Sequence, residues 1–241
     1  MNRAAIVDSV RTGISRAFQG RLTAARPDDM AAHCVDALFA RNPWLSRAEV
    51  EDCVIGCAFP EGPQGMNLGR NVAVLSRLGR DTAGLTISRY CASGLDAVAH
   101  AAARIASGQA EVMVAGGVES ISMTLKSVNA HNLFNPAIRD RSPGTYVKMG
   151  WDNPATAFWK RAFRTMGETA EIIAEQRGIT RAEQDAWAWQ SQQRTASAQA
   201  AEVFRDEIVA LPVAYDDPTA GATAGATPGA ALHAVVDRDD A

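Results

Sequence analysis

Residues 84–120 read GLTISRYCASGLDAVAHAAARIASGQAEVMVAGGVES, and the change of character inside this stretch decides the fold. Leu85, Thr86 and Ile87 suit a short buried strand, and Arg89 and Tyr90 form a turn. From Ala92 onward alanine-rich sequence places Leu95, Val98, Ala99, Ala102 and Ile105 at three- and four-residue spacing, which predicts a helix with those residues on its apolar face. Gly108 stands where the helix should end, and EVMVAGG follows as a second strand. Cys91 therefore falls on or just before the first helical turn. There the unsatisfied N–H groups and the positive end of the macrodipole favour thiolate over thiol. Ala92, Ser93 and Gly94 are small enough to let a bulky thioester approach the sulfur. The competing reading is a free cysteine serving as a small buried apolar residue.

The same alternation extends toward the N-terminus. AAIVDSV is expected as a first strand, followed by the loop RTGISRAFQGRL. A helix is expected from about Pro27, with Asp28 and Asp29 in its first turn and Asn42 and Pro43 at its end. EDCVIGCAF reads as the next strand, FPEGPQGMNLG as a loop and GRNVAVLSRLG as a helix. Strands alternating with helices predict an α/β fold, a mostly parallel sheet covered by helices on both faces.

Beyond Ser120 the pattern breaks. Residues 121–164 are irregular, yet carry Met149, Trp151, Phe158 and Trp159, as expected of an inserted lobe on the substrate side. MGETAEIIAEQRG and TRAEQDAWAWQSQQRTASAQAAEVF read as two helices, the second opened by Thr180 and Glu183 in capping-box spacing. EIVALPVAY is strand-like, and DDPTAGATAGATPGAAL is a low-complexity stretch expected to be a mobile loop. The expected organisation is a core over 1–120, the inserted lobe over 121–205, and a return strand with a flexible Ala/Gly/Thr-rich tail over 206–241.

Composition narrows the function. The 241 residues are 47% hydrophobic and 21% charged, an ordinary globular balance. Twenty-four basic residues dispersed among 27 acidic ones, for a net charge of −3, give no electrostatic case for nucleic acid. No apolar run approaches a membrane span and the N-terminus does not read as a signal peptide, so a cytoplasmic location is expected. Four cysteines do not make a disulfide framework. Cys53 and Cys57, in an apolar run without a second pair, are poor zinc geometry, and no metal site is expected.

Several segments together resemble the N-terminal half of a thiolase, the coenzyme A-dependent acyltransferase family. RYCASGLDAV resembles the motif around the acylated cysteine, VAGGVESIS the strand and turn after it, and GCAFPEGPQGMNLGR the loop before the reactive helix in 3-ketoacyl-CoA thiolases. MGETAE and RAEQDAWAWQSQQR resemble the two helices of the inserted lobe. The match runs in order from about residue 4 to the end.

The resemblance implies a five-layered αβαβα architecture of two similar halves, of which the second is absent here. It implies that Cys91 attacks a 3-ketoacyl-CoA, that acetyl-CoA leaves, and that free CoA takes the acyl group, with CoA as a substrate and no cofactor. The Cys91 backbone N–H would be an oxyanion donor. Met166 would line the acyl or pantetheine pocket, although a methionine before a helix is equally explained by packing. A homo-oligomer, or a partner chain supplying the missing half, is implied as well.

This sequence also departs from the family pattern. It lacks the GHPxG and CxGGG segments that supply the base and the second cysteine, and it lacks the NEAF segment. Gly13 stands where proline is usual and Ser88 where asparagine is common. Thr165 stands where biosynthetic short-chain members often have histidine. The alternative reading is a catalytically inactive fragment, or a protein that binds acyl-CoA or depends on a partner. A decarboxylating condensing enzyme of the same superfamily is a third, disfavoured by EGPQGMNLGR and MGETAE.

Overall fold

Asp52–Gly56 form β1, in which all five residues are buried, and this strand is the centre of the sheet. A computed structural model describes residues 3–127, 166–216 and 231–240 of the chain. β2 (Ala83–Ile87) and β3 (Met113–Gly117) flank β1, both parallel to it, with Val54 opposite Leu85 on one side and Ala115 on the other. A strand buried on both faces needs apolar or small residues throughout, and DCVIG meets that demand with one exception, Asp52. Its carboxylate is answered by Arg104 from the helix that crosses the sheet.

The pleat sends alternate side chains to opposite faces. Cys53 and Ile55 point into an apolar cluster with Val35 and Phe39 of α1 (Pro27–Arg41), Leu68 and Val72 of α2 (Leu68–Leu75), and Leu78. Asp52 and Gly56 meet the other layer, α3 (Ser93–Ala106), through Arg104 at one end and Ser93 at the other. Helices thus cover both faces of a parallel sheet, as the alternating sequence implies. Local chemistry sets the helix ends. α1 begins at a proline, carries Asp28 and Asp29 in its first turn and Arg41 in its last, and stops where the Asn42 side chain bonds the Leu38 carbonyl.

α3 differs from expectation in which face it buries. The buried residues are Ser93, Ala97 and Ala101, whereas Leu95 is 75% exposed and Val98 and Ile105 are half-buried. The reason is steric: the helix lies too close to β1 and β3 for large side chains, so its smallest residues take the sheet side. The N-terminal segment differs too. AAIVDSV is not a strand, and Ile6 and Val7 stand 79% and 67% exposed. Among the described residues the first bridge comes one residue after this stretch, where Arg11 pairs with Ile208. Apolar alternation makes a strand only where a ladder partner accepts its N–H and C=O groups.

By internal packing the chain divides into two units, Met1–Val128 with Glu202–Ala241, and Asn129–Ala201. In the first, α4 (Ile121–Ser127) follows β3. β4 (Leu211–Asp216) and β5 (Ala231–Val236) form an antiparallel pair, and Leu211, Val213 and Val236 pack with Met30 of α1. The low-complexity stretch therefore ends in a strand, since Ala231 and Leu232 pair with Asp216 and Tyr215. Its residues 217–230 lie outside the described residues, as do 128–165 with the aromatic side chains expected in the lobe.

In the second unit, α5 (Met166–Arg177) and α6 (Arg181–Ala200) form a hairpin turned at Gly178, whose φ of 65° is the left-handed conformation glycine tolerates. The Thr180–Glu183 capping box is formed in full. Between these helices lies an open cleft of about 420 Å³, lined by Glu171, Ile172, Glu175, Ile179, Thr180 and Gln184.

Two aspartates near the C-terminus tie it to the loop after the N-terminal segment. Arg11 donates both terminal nitrogens to Asp239, at 2.6 and 2.9 Å, and the Ile14 N–H donates to the same carboxylate. Asp240 accepts from Ser15 and Arg21. The Arg11 hydrogen bonds hold the Asp239 carboxyl below the usual carboxylate range. Burial alone would raise Asp240, but the bonds from Ser15 and Arg21 outweigh it and hold that group down as well. A carboxyl depressed by folding stabilises the native state fully above its unfolded value of about 4 and ceases to do so as pH falls through the lower folded value. Thermal unfolding should therefore show stability falling steeply below about pH 4. Asp239→Asn should cost about 2 kcal/mol at neutral pH and flatten that acid limb.

Candidate active site

Cys91 sits two residues before α3, in the turn that joins the C-terminal end of β2 to the helix, and it is exposed. The turn is tightly specified. Tyr90 has φ of 47°, a left-handed conformation that is uncommon for a bulky residue and persists only when its surroundings impose it. Ser93 does much of that: buried at 3% exposure, its hydroxyl accepts the Arg89 N–H at 2.8 Å and donates to the Tyr90 carbonyl at 2.6 Å. The Ser93 N–H also reaches the Tyr90 carbonyl, and the Ala92 N–H reaches that of Arg89. Arg89 pairs with Asp96 one turn into the helix, and the Phe59 ring meets Tyr90 edge-on at 6.0 Å.

Two glycines set how close the helix start comes to the sheet. A Cβ on Gly56, the last residue of β1, would lie 2.3 Å from the Ser93 carbonyl group, and one on Gly117, the last of β3, would lie 3.1 Å from the Gly94 Cα. The Cys91 turn is thus pressed onto the C-terminal ends of parallel strands, the edge at which open α/β sheets present ligand sites.

The four cysteines are sharply distinguished by environment. Burial pushes the Cys53 thiol up to about 12, with the Asp52 charge adding to it. Burial first and then Glu119 do the same for Cys57, also to about 12. Cys34 is raised by burial too. Such thiols stay protonated and inert at neutral pH, and Cys91 is the single exposed cysteine. Among the described residues no hydrogen-bond partner holds its thiol. His33 bonds the Ala210 carbonyl, and His100 lies seven residues up α3 from Ser93, roughly 10 Å along the axis. The side chains of His131 and His233 fall outside the described residues.

Met166, the second expected site residue, belongs to the other unit, where it opens α5 with its side chain 78% exposed. The cleft of that unit has glutamates and no cation among its lining residues, so it is not built for a phosphate. Among the described residues no helix is long and apolar enough to cross a membrane.

One pair of polar residues has only a partial sequence signal. Glu119, after β3, accepts the Ala58 N–H at 2.7 Å and the Gln64 side-chain amide at 2.6 Å, and Gln64 is fully buried. EGPQG and GGVES stand out as motifs, but no spacing rule in the sequence joins them.

A model of the thiolase N-terminal domain matches residues 4–231. The chain belongs to the thiolase family. It is 38% identical over 222 residues to the beta-ketoadipyl-CoA thiolase of Acinetobacter baylyi, covering 88% of this chain and 52% of that protein. It is 36% identical over 215 residues to the 3-ketoacyl-CoA thiolase of Bacillus subtilis, covering 88% and 50%. The 3-oxoadipyl-CoA/3-oxo-5,6-dehydrosuberyl-CoA thiolase of Escherichia coli is 36% identical over 218 residues, covering 87% and 51%. The chain therefore spans about half the length of the curated relatives it matches.

In this thiolase chain the fit between Gly56 and α3 is directly testable. Gly56→Ala should cost about 3 kcal/mol or prevent folding, because backbone rather than a flexible side chain occupies the Cβ position. Gly116→Ala, one residue away in the neighbouring register with no atom within 4 Å of its Cβ, should leave the melting temperature within about 3 °C. Thermal denaturation of the two variants side by side measures the difference.

Proposed function

We propose that this chain carries the nucleophile of a thiolase-type acyltransferase, which cleaves a 3-ketoacyl-CoA with CoA or runs the reverse condensation. The observation that supports it is the location of Cys91, the one exposed cysteine, in a rigid turn at a helix start on the C-terminal edge of a parallel sheet. In the proposed reaction the Cys91 thiolate adds to the C3 ketone carbon, forming the S–C bond. The C2–C3 bond then breaks with its electron pair moving to C2, and protonation there releases acetyl-CoA. The thiolate of a second CoA attacks the acyl-cysteine carbonyl, and Cys91 leaves as thiolate. This splits a carbon–carbon cleavage into two acyl transfers.

The Cys91 backbone N–H serves as an oxyanion donor in this reading, and Met166 contributes to the acyl or pantetheine pocket. CoA is a substrate, no further cofactor takes part, and the setting is cytoplasmic. The acid and base come from GHPxG- and CxGGG-type segments, which thiolases carry and these 241 residues do not. They are supplied by the portion of the relatives that this chain does not span, joined to it or held by a partner, in an oligomeric assembly.

Without that portion the chain is a partner-dependent or inactive fragment, a reading favoured by the absence of a hydrogen-bond partner for the Cys91 thiol among the described residues. General acid–base assistance contributes ~10² to 10⁴ in rate, so the 241 residues alone should acylate from acetyl-CoA slowly or not at all. Iodoacetamide, which needs no catalytic base, should nevertheless label Cys91 ahead of Cys34, Cys53 and Cys57, as read by peptide mass spectrometry. Equal labelling of all four would remove the nucleophile assignment. Rapid stoichiometric acylation by acetyl-CoA would overturn the dependence on a second half.

A further inference from the structure

We infer that Glu119 is a positioning residue for Cys91, acting through the backbone segment 57–59; the functional half of this inference rests on Cys91 being the nucleophile. Glu119 follows β3 and has no place in the covalent chemistry just described. Its carboxylate is half-buried, and among the described residues the groups bonded to it are neutral donors. One oxygen takes the Gln64 side-chain amide at 2.6 Å, and the other takes the Ala58 N–H at 2.7 Å with the Cys57 Sγ at 3.9 Å. Gln64 is locked in one orientation, because its oxygen accepts the Ser120 N–H while its nitrogen donates to the Phe59 carbonyl at 2.8 Å as well as to Glu119. A carboxylate so arranged grips segment 57–59 from behind by charge-assisted bonds, which are about twice as strong as neutral ones.

The front of the same segment holds the approach to the nucleophile residue by residue. The Cys57 N–H donates to the Ile87 carbonyl at 2.9 Å, the Ser88 hydroxyl donates to the Ala58 carbonyl at 3.2 Å, and the Phe59 ring abuts Tyr90. Ile87, Ser88 and Tyr90 are the end of β2 and the turn that delivers Cys91, and Tyr90 is the residue held at positive φ. Such a conformation costs of order 1–3 kcal/mol and relaxes unless its neighbours over-determine it. Ser93 constrains it from the helix side, and the Glu119-backed segment constrains it from the sheet side.

Glu119→Gln tests this, because it keeps the shape of the side chain and replaces one acceptor by a donor that must face either Gln64 or Ala58. Hydrogen exchange at the Arg89, Ala92 and Ser93 amides of the full chain should quicken at least tenfold, while amides of α1 stay within twofold. The ratio of Cys91 to Cys34 labelling by iodoacetamide should fall at least threefold as the sulfur loses its fixed place beside the helix start. Glu119→Asp keeps the charge and both acceptor oxygens on a shorter arm, so it should retain more of the exchange protection than Glu119→Gln, whereas a merely space-filling role would give the reverse order, glutamine being the closer match in size. An unchanged turn, a rise shared by α1, or Glu119→Asp losing more protection than Glu119→Gln overturns the inference. If Cys91 in the unaltered chain is labelled no faster than Cys34, the nucleophile reading fails, while the exchange data still decide whether Glu119 holds the turn.

Discussion

The structure depends on how closely the first turn of α3 approaches the sheet. Gly56 and Gly117 remove the side chains that would hold Ser93 and Gly94 away, and the helix settles onto strand ends with backbone touching backbone. Three features follow from that single contact. The helix must face the sheet with Ser93, Ala97 and Ala101, its smallest residues. The chain leaving β2 must turn within a few residues, which throws Tyr90 into a left-handed conformation. Cys91, at the outside of that turn, is left in solvent with the N-terminus of a helix directly after it. Exposure here is a product of backbone geometry, and it separates Cys91 from Cys57, 34 positions earlier, whose thiol is held protonated by burial.

The strand–turn–helix unit was legible because it is local. Periodicity, alanine content and capping residues report on neighbours in sequence, and they located α1, α3, α5, α6 and the parallel strands to within a few residues. The reading failed where an outcome depended on partners distant in sequence. AAIVDSV has the apolar pattern of a strand, but among the described residues a bridge forms only just beyond it, at Arg11. The helical spacing in α3 turns Leu95 inward if hydrophobicity decides burial, whereas steric closeness to two glycines decides it.

The polar groups show the same division. DRDDA carried no pattern that would connect it to Arg11 and Ser15 more than 220 residues away, yet Asp239 and Asp240 anchor the loop that follows the N-terminal segment. Gln64 and Glu119 are likewise separated by 55 residues and joined by a 2.6 Å hydrogen bond. Buried hydrogen-bond partners are chosen by geometry after the sheet has formed, and no composition or spacing rule precedes that step. A resemblance to a family could flag the segments containing them, but it could not say what their side chains touch.

The acyl transfer proposed for this chain makes two separable demands on structure. The first is an accessible sulfur, and the fold presents Cys91 exposed just before a helix start, in a turn tied down by Ser93. Proton transfer is a different requirement: it needs a titratable group within hydrogen-bond reach of the sulfur and of the carbon released by cleavage. His33 is committed to the Ala210 carbonyl and His100 lies well up the helix. The polar support around the turn is also arranged as structure rather than as a relay, since Gln64, Ser93 and the backbone amides that meet Glu119 do not titrate near neutral pH. In the proposed reaction, capture of the acyl group and proton transfer are separate requirements, and the first can be measured on this chain without the second.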